Sequence, residues 1–287
     1  MEREIVANYV DIVNRRIFPC RFKWIDKRIS SIEHLDFTVS NYILPGFIDA
    51  HVHIESSLLA PSEFARMAVT HGTIATVSDP HEIGNVLGVH GVEFMLENAR
   101  DVPFHFHFGA PSCVPATKFE TAGASIDVLD IDLLLQNKEI HYLAEMMNFP
   151  GVIYHEEEVM AKLALANKYG KPIDGHAPGL TGEDAVKYFR EGPSTDHECF
   201  SLEEALEKLR LGVKIIIREG SAARNYQALS PLIKYFPDQL MFCSDDKHPD
   251  TLIDGHINQI VARAVNEDHD IFNVLKIEME LPTASCF

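Results

Sequence analysis

The chain has 287 residues, 46% hydrophobic and 24% charged, with 43 acidic against 25 basic side chains and a formal net charge of −18. Such a balance suits a soluble globular protein with room for one α/β barrel, commonly ~250 residues, and it repels a phosphate backbone, so no nucleic-acid partner is expected. The five cysteines (Cys20, Cys113, Cys199, Cys243, Cys286) form no CxxC pair, the start MEREIVANYVDIVNRR is too charged for a signal peptide, and no apolar run approaches membrane-spanning length, which together point to a reducing, cytoplasmic setting without a membrane partner.

Residues 1–42 read as short strands and turns, a small amino-terminal β-sheet segment. From residue 43 short β-like runs alternate with helical stretches. The runs cover 43–53, 73–79, 102–109, 140–146, 171–176, 193–197, 213–219 and 239–245. Between them lie segments with helical apolar spacing, such as PSEFARMAVTHG and SLEEALEKLRLG, many starting after Ser, Thr, Asp or Pro and ending at Gly. Eight strand-then-helix units in order predict an α/β fold, a (β/α)8 TIM-like barrel over 43–270. The stretch 271–287 shows no clear continuation and is expected to be an irregular tail.

Barrel strands deliver their carboxyl-terminal residues to one face, where active sites sit. Here the runs end in His51 and His53, Asp79, Glu145, His176, His197, Glu219 and Asp245, a density of metal-binding side chains at equivalent places. In His51-Val52-His53 the two imidazoles share one side of a strand, since residues i and i+2 face alike. Glu145 stands among apolar neighbours (Leu143, Met146, Met147). A carboxylate so placed needs a positive partner, and it can bridge two divalent ions. Of the adjacent Asp245 and Asp246, one could bind metal and take a proton while the other bonds a substrate, or one could cap the next helix.

Arg218, Glu219 and Ser221 at the seventh strand end are expected to contact substrate. Asp79, His81 and Glu82 in SDPHEIG either shape the pocket or cap the next helix. A second pair, His105-Phe106-His107, reads as strand packing or support for other groups. His71, His90, His141, His155, His248 and His256 read as surface or structural.

The segments PGFIDAHVHIESS, DPHEIGNVLG, PSCVPAT, EMMNFPGV, DGHAPGL, STDHE, REGSAARN and CSDDKHPD, in this order over about residues 40–265, resemble the motifs of the adenine deaminase family within the amidohydrolase superfamily. The resemblance implies hydrolysis of adenine to hypoxanthine and ammonia by a metal-activated hydroxide at a binuclear centre. By position, His51, His53 and Asp245 would hold one cation and His176 and His197 the other, with Glu145 between them. Mn2+ is the cation implied first, Fe2+ or Zn2+ in its place. Asp245 would relay the proton, and Asp246 or Glu219 would bond the ring nitrogens. A homo-oligomer stays open. The family continues past the eighth strand, so the chain is expected to be incomplete at its carboxyl terminus. Two alternatives remain: an amidohydrolase acting on a cyclic amide or N-acyl substrate, or a truncated member that turns nothing over.

Overall fold

In the computed structural model, residues 2–117 and 119–279 are described, and the chain forms two compact units, Met1–Gly46 and Phe47–Phe287. The first unit is a four-stranded sheet. Strands β1 (Glu2–Asp11) and β2 (Arg16–Ile25) form an antiparallel hairpin, β3 (Arg28–His34) pairs with β2, and the short β4 (Tyr42–Ile43) runs parallel to β1. Its alternation buries Ala7, Val10 and Cys20.

The second unit carries the eight expected strand positions. In chain order these are β5 (Phe47–His53), β6 (Thr73–Ser78), β7 (His105–Ala110), β8 (Ile140–Met146), β9 (Ile173–Gly175), β10 (Thr195–Asp196), β11 (Lys214–Arg218) and β12 (Leu240–Cys243), which continues as β13 (Asp245–Asp246). Strands β5 to β9 pair in parallel, as do β10 to β12. A bridge from Ile173 to Pro193 joins β9 to β10, and β13 pairs with β5 through Asp245↔Val52 and Asp246↔His53. The ring therefore closes on itself. Gly175 is required where β9 meets β10, because a Cβ there would lie 2.2 Å from the Thr195 carbonyl oxygen.

Helices cover the outside. They include α1 (Pro61–Ala68), α2 (His81–Leu87), α3 (Val89–Ala99), α4 (Val128–Gln136), α5 (Phe149–Ile153), α6 (Glu157–Lys168), α7 (Gly182–Arg190), α8 (Leu202–Arg210), α9 (Tyr226–Leu229), α10 (Pro249–Asp254), α11 (Ile257–Asn266) and α12 (Ile271–Met279). Local chemistry fixes their starts: Asp127 and Asp130 form a capping box on α4, and Ser201 caps α8. Between strands and helices lies one large apolar layer including Phe64, Phe108, Leu134, Leu135, Leu143 and Leu163. Each such side chain contributes about 1.5–3 kcal/mol when buried.

One expectation is corrected. The stretch from 271 is not irregular as far as Met279: α12 packs against β12 and β5, burying Val274, Leu275 and Ile277. The rest of the expected tail, with Cys286, lies outside the described residues. Cys20, Cys113, Cys199 and Cys243 are free and buried. Among the described residues no helix is long and apolar enough to cross a membrane.

Candidate metal centre

Strand β5 delivers His51 and His53 from one side of its pleat, while Ala50 joins a small apolar cluster with Ile216, Met241 and Cys243. Asp49, two residues before His51, ties β5 to the eighth strand: it accepts the Ser244 amide at 3.0 Å and is also bonded by the Ser244 hydroxyl. At the next residue the chain turns sharply. Asp245 has φ 54°, a left-handed conformation that a non-glycine residue holds only at a cost of about 1–3 kcal/mol. The turn brings Asp245 Oδ1 to 3.5 Å from His51 Nε2 and 3.2 Å from His53 Nε2.

Glu145 at the end of β8 faces both halves of the cluster. Its Oε1 lies 3.4 Å from His53 Nε2. Its Oε2 lies 2.7 Å from His176 Nδ1 and 3.4 Å from His197 Nε2. All six residues expected as ligands thus meet, in two trios joined by one carboxylate: His51, His53 and Asp245 on one side, Glu145, His176 and His197 on the other.

The tautomers decide whether the donor set suits a cation. His51 Nδ1 is 3.0 Å from Asp174 Oδ2, and His53 Nδ1 is 3.0 Å from the Asp79 carbonyl oxygen. Each Nδ1 must therefore carry the proton, leaving lone pairs on the two Nε2 atoms, which face each other at 3.2 Å. Two lone pairs at that distance repel unless positive charge stands beside them. Burial alone would lower the His51 imidazole, yet the Asp174 hydrogen bond and charge, helped by Glu145, push it up to about 9. His53 is raised well above its usual value against the same burial, chiefly by Asp245 and Glu145. Burial opposes the ionised form of Glu145, but hydrogen bonds from His176 and His197 hold its carboxyl well below the ordinary range. Asp245 is likewise held low, by His53, His197 and His51 against its burial. The residues fit divalent cations, whose binding would release these protons.

Other expected residues divide. Asp246 and Glu82 meet at the rim through Ser56, whose hydroxyl donates to Asp246 Oδ1 at 2.6 Å and lies 3.2 Å from Glu82 Oε1. His81 joins the cluster, its Nδ1 3.1 Å from Asp79 Oδ2 and 3.3 Å from Glu145 Oε1. Arg218 does not face open space. It is 3% exposed, and its guanidinium binds both oxygens of Glu198 and, at 2.7 Å, Asp245 Oδ2. Its bonds in this structure go to carboxylates. Glu219, the first residue after β11, pairs instead with Arg263 at 3.2 Å. Ser221 is occupied by Thr251 and by the His248 amide. The second pair starts β7 instead of ending it, and His107 stacks edge-on against His141, with ring centroids 4.9 Å apart.

Four supporting residues were not singled out from the sequence. Asp174 stands two residues before His176 and orients His51. Glu198 follows His197, with Oε1 3.5 Å from its Nε2. Asn225 accepts the Arg218 amide and donates to the carbonyls of His197 and Cys199, holding that loop in place. Glu55 is pushed up to about 7 by burial, and it accepts the Ile83 amide at 3.1 Å. For Asp174, Glu198 and Glu55 the visible signal was adjacency to a ligand within its motif; Asn225 lies 28 positions from His197 and had no such signal.

Residues 42–263 match the Amidohydrolase family. An adenine deaminase of Sulfurovum sp. (strain NBC37-1) is 56% identical over 274 residues, 96% of this chain and 51% of that protein. One of Salinibacter ruber is 55% identical over 272 residues, 95% of this chain and 50% of that protein. The chain spans about half the length of the curated relatives it matches. Among solved structures, the N-acetyl-D-glucosamine-6-phosphate deacetylase of Mycobacterium smegmatis superposes with a TM-score of 0.64 at 12% identity, covering 96% of this chain and 87% of that one, a likeness of fold alone. With its barrel, its strand-end cluster and this match over most of its length, the chain belongs to the amidohydrolase family.

Proposed function

We propose that the chain hydrolyses adenine to hypoxanthine and ammonia with two divalent cations, manganese first and iron or zinc as alternatives. His51, His53 and Asp245 would hold one cation, His176 and His197 the other, and Glu145 would serve both. The observation that carries the chemistry is the placement of Glu145, one carboxylate oxygen toward each trio. The substrate follows from the relatives named as adenine deaminases.

Cations bound there would lower the pKa of a water molecule toward neutrality. The protein supplies the rest. Asp245 has Oδ2 fixed by Arg218, so Oδ1 is the atom that can take a proton and pass it to the leaving amine. Asp246 and Glu82, drawn together by Ser56 at the rim, are acceptors suited to ring N–H groups. Glu219 takes no part in this arrangement, since Arg263 holds it.

The test is direct. Chain expressed with manganese and analysed for bound metal is mixed with adenine, and loss of adenine absorbance is followed beside ammonia release. Both are expected to proceed together. A chain carrying two ions that releases no ammonia would overturn the deaminase reading.

A further inference from the structure

A separate cavity of about 280 Å3 lies among the loop after β11, the residues after β13, and helices α10 and α11. Its charged groups are unequally partnered. Arg263 is fully engaged: Nε bonds Glu267, one terminal nitrogen bonds Glu219, the other bonds Gln227, and the guanidinium lies over the Tyr226 ring. That contact also neutralises Glu219. His256 spends one ring nitrogen on Thr73 and the other on Asp49.

Lys247 differs. It is 6% exposed, it lines the cavity, and among the described residues its ammonium makes no hydrogen bond or ion pair. Arg224, exposed on the same wall, bonds among the described residues through Nε alone, to the Gly220 carbonyl oxygen at 2.9 Å. The remaining acid of the lining, Asp254, is exposed and pairs with neither among the described residues. With Glu219 and Arg263 cancelling, two cations face one acid, in a chain whose net charge is −18. Asp49, Asp254 and Glu219 attract the Lys247 ammonium without bonding it among the described residues, so an anion in the cavity would give it the hydrogen-bonded partner it lacks.

We infer that this cavity binds a phosphate-type oxyanion between Lys247 and Arg224. The ammonium offers a point charge and the guanidinium a fork of N–H donors that matches phosphate oxygens. A water molecule occupies about 30 Å3 of liquid, so the space holds a phosphate group and several waters. The ligand is free phosphate or the phosphate of a small monoester. This inference does not depend on the deaminase reading.

The metal-loaded chain is titrated with inorganic phosphate and, separately, with glycerol phosphate, by calorimetry and thermal melting. Anion bound at the metal centre persists in variants of the cavity, so the difference between chains reports the cavity alone. Wild type is expected to bind one phosphate in excess of each variant and to melt at higher temperature with it. Lys247→Met and Arg224→Gln are each expected to weaken that binding at least tenfold with metal content unchanged. Tighter binding of glycerol phosphate would name a monoester as the ligand, and tighter binding of inorganic phosphate the free ion. Wild-type affinity retained by either folded variant overturns the site. Arg224 is exposed, so Arg224→Gln decides the matter even if Lys247→Met does not fold.

Discussion

Asp174 stands behind His51, its Oδ2 3.0 Å from His51 Nδ1, with both side chains buried. The contact fixes the imidazole tautomer and turns the Nε2 lone pair toward His53 and Asp245. Losing such a carboxylate behind a ligand histidine usually costs about 10–100-fold in metal affinity. Asp174→Asn is therefore expected to bind its first cation that much more weakly, measured by competition with a chelator. An unchanged affinity would remove Asp174 from this role.

Glu145→Gln keeps the shape of the side chain and deletes the charge that His53, His176 and His197 surround. Turnover is expected to vanish, and metal analysis to find fewer ions than in wild type, while circular dichroism stays native. Wild-type rates in that variant would refute the shared-carboxylate assignment.

Arg218 links Glu198 to Asp245 in a buried setting. Removing one partner of such a pair typically costs about 3–5 kcal/mol. Urea unfolding of Arg218→Met should show a loss of that size. Arg218→Lys should recover only part of it, because an ammonium cannot span both carboxylates as the fork does. If Arg218→Met unfolded at the wild-type urea concentration, the network would not be a structural requirement.

His107 offers a pH prediction away from the metal cluster. Burial, reinforced by His141 and His105, pushes its imidazole down to about 4 from 6.5. The unfolded chain then binds the proton first as pH falls. Its stabilising effect is whole above about pH 6.5 and is lost as pH drops through 4. At about 1.36 kcal/mol per pKa unit the loss is at most about 3 kcal/mol. His107→Phe should flatten the stability profile in that window, and an unchanged slope would show that His107 is not its source.

Helix α8 supplies a further test. Lys208 is 0% exposed and donates to the Ala177 carbonyl, to Asp196 and to Glu204. It thereby ties together the loops that carry His176 and His197. Lys208→Met leaves two carboxylates buried without their cation, and a destabilisation of about 3–5 kcal/mol is expected in thermal or urea unfolding. A melting temperature equal to wild type would contradict it.

Most of the second unit was legible from local pattern. Alternating runs and capped helices set out eight units, and a barrel sends the end of each strand to one rim, so His51, His53, Glu145, His176, His197 and Asp245 fell among the strand-end residues, beside Asp79 and Glu219, and the family resemblance set the six apart. Facing was less legible. Arg218 ends β11 and Glu219 follows it, and a period of two says only that they point apart. Register with β12 and packing against α11 decide that Arg218 turns inward and Glu219 meets Arg263. Position along the strand was ambiguous too, because His105-Phe106-His107 has the same spacing as the first pair but begins its strand.

By itself the sequence determined the order of elements, the period of each and the ligand types at the strand ends, since these depend on residues a few positions apart. Only the tertiary structure decided that Asp174 backs His51 across 123 positions of chain, that Arg218 serves carboxylates, and that 271–279 folds as a helix on β12. Such choices depend on ring closure, which sets distant groups side by side, and no local spacing records it.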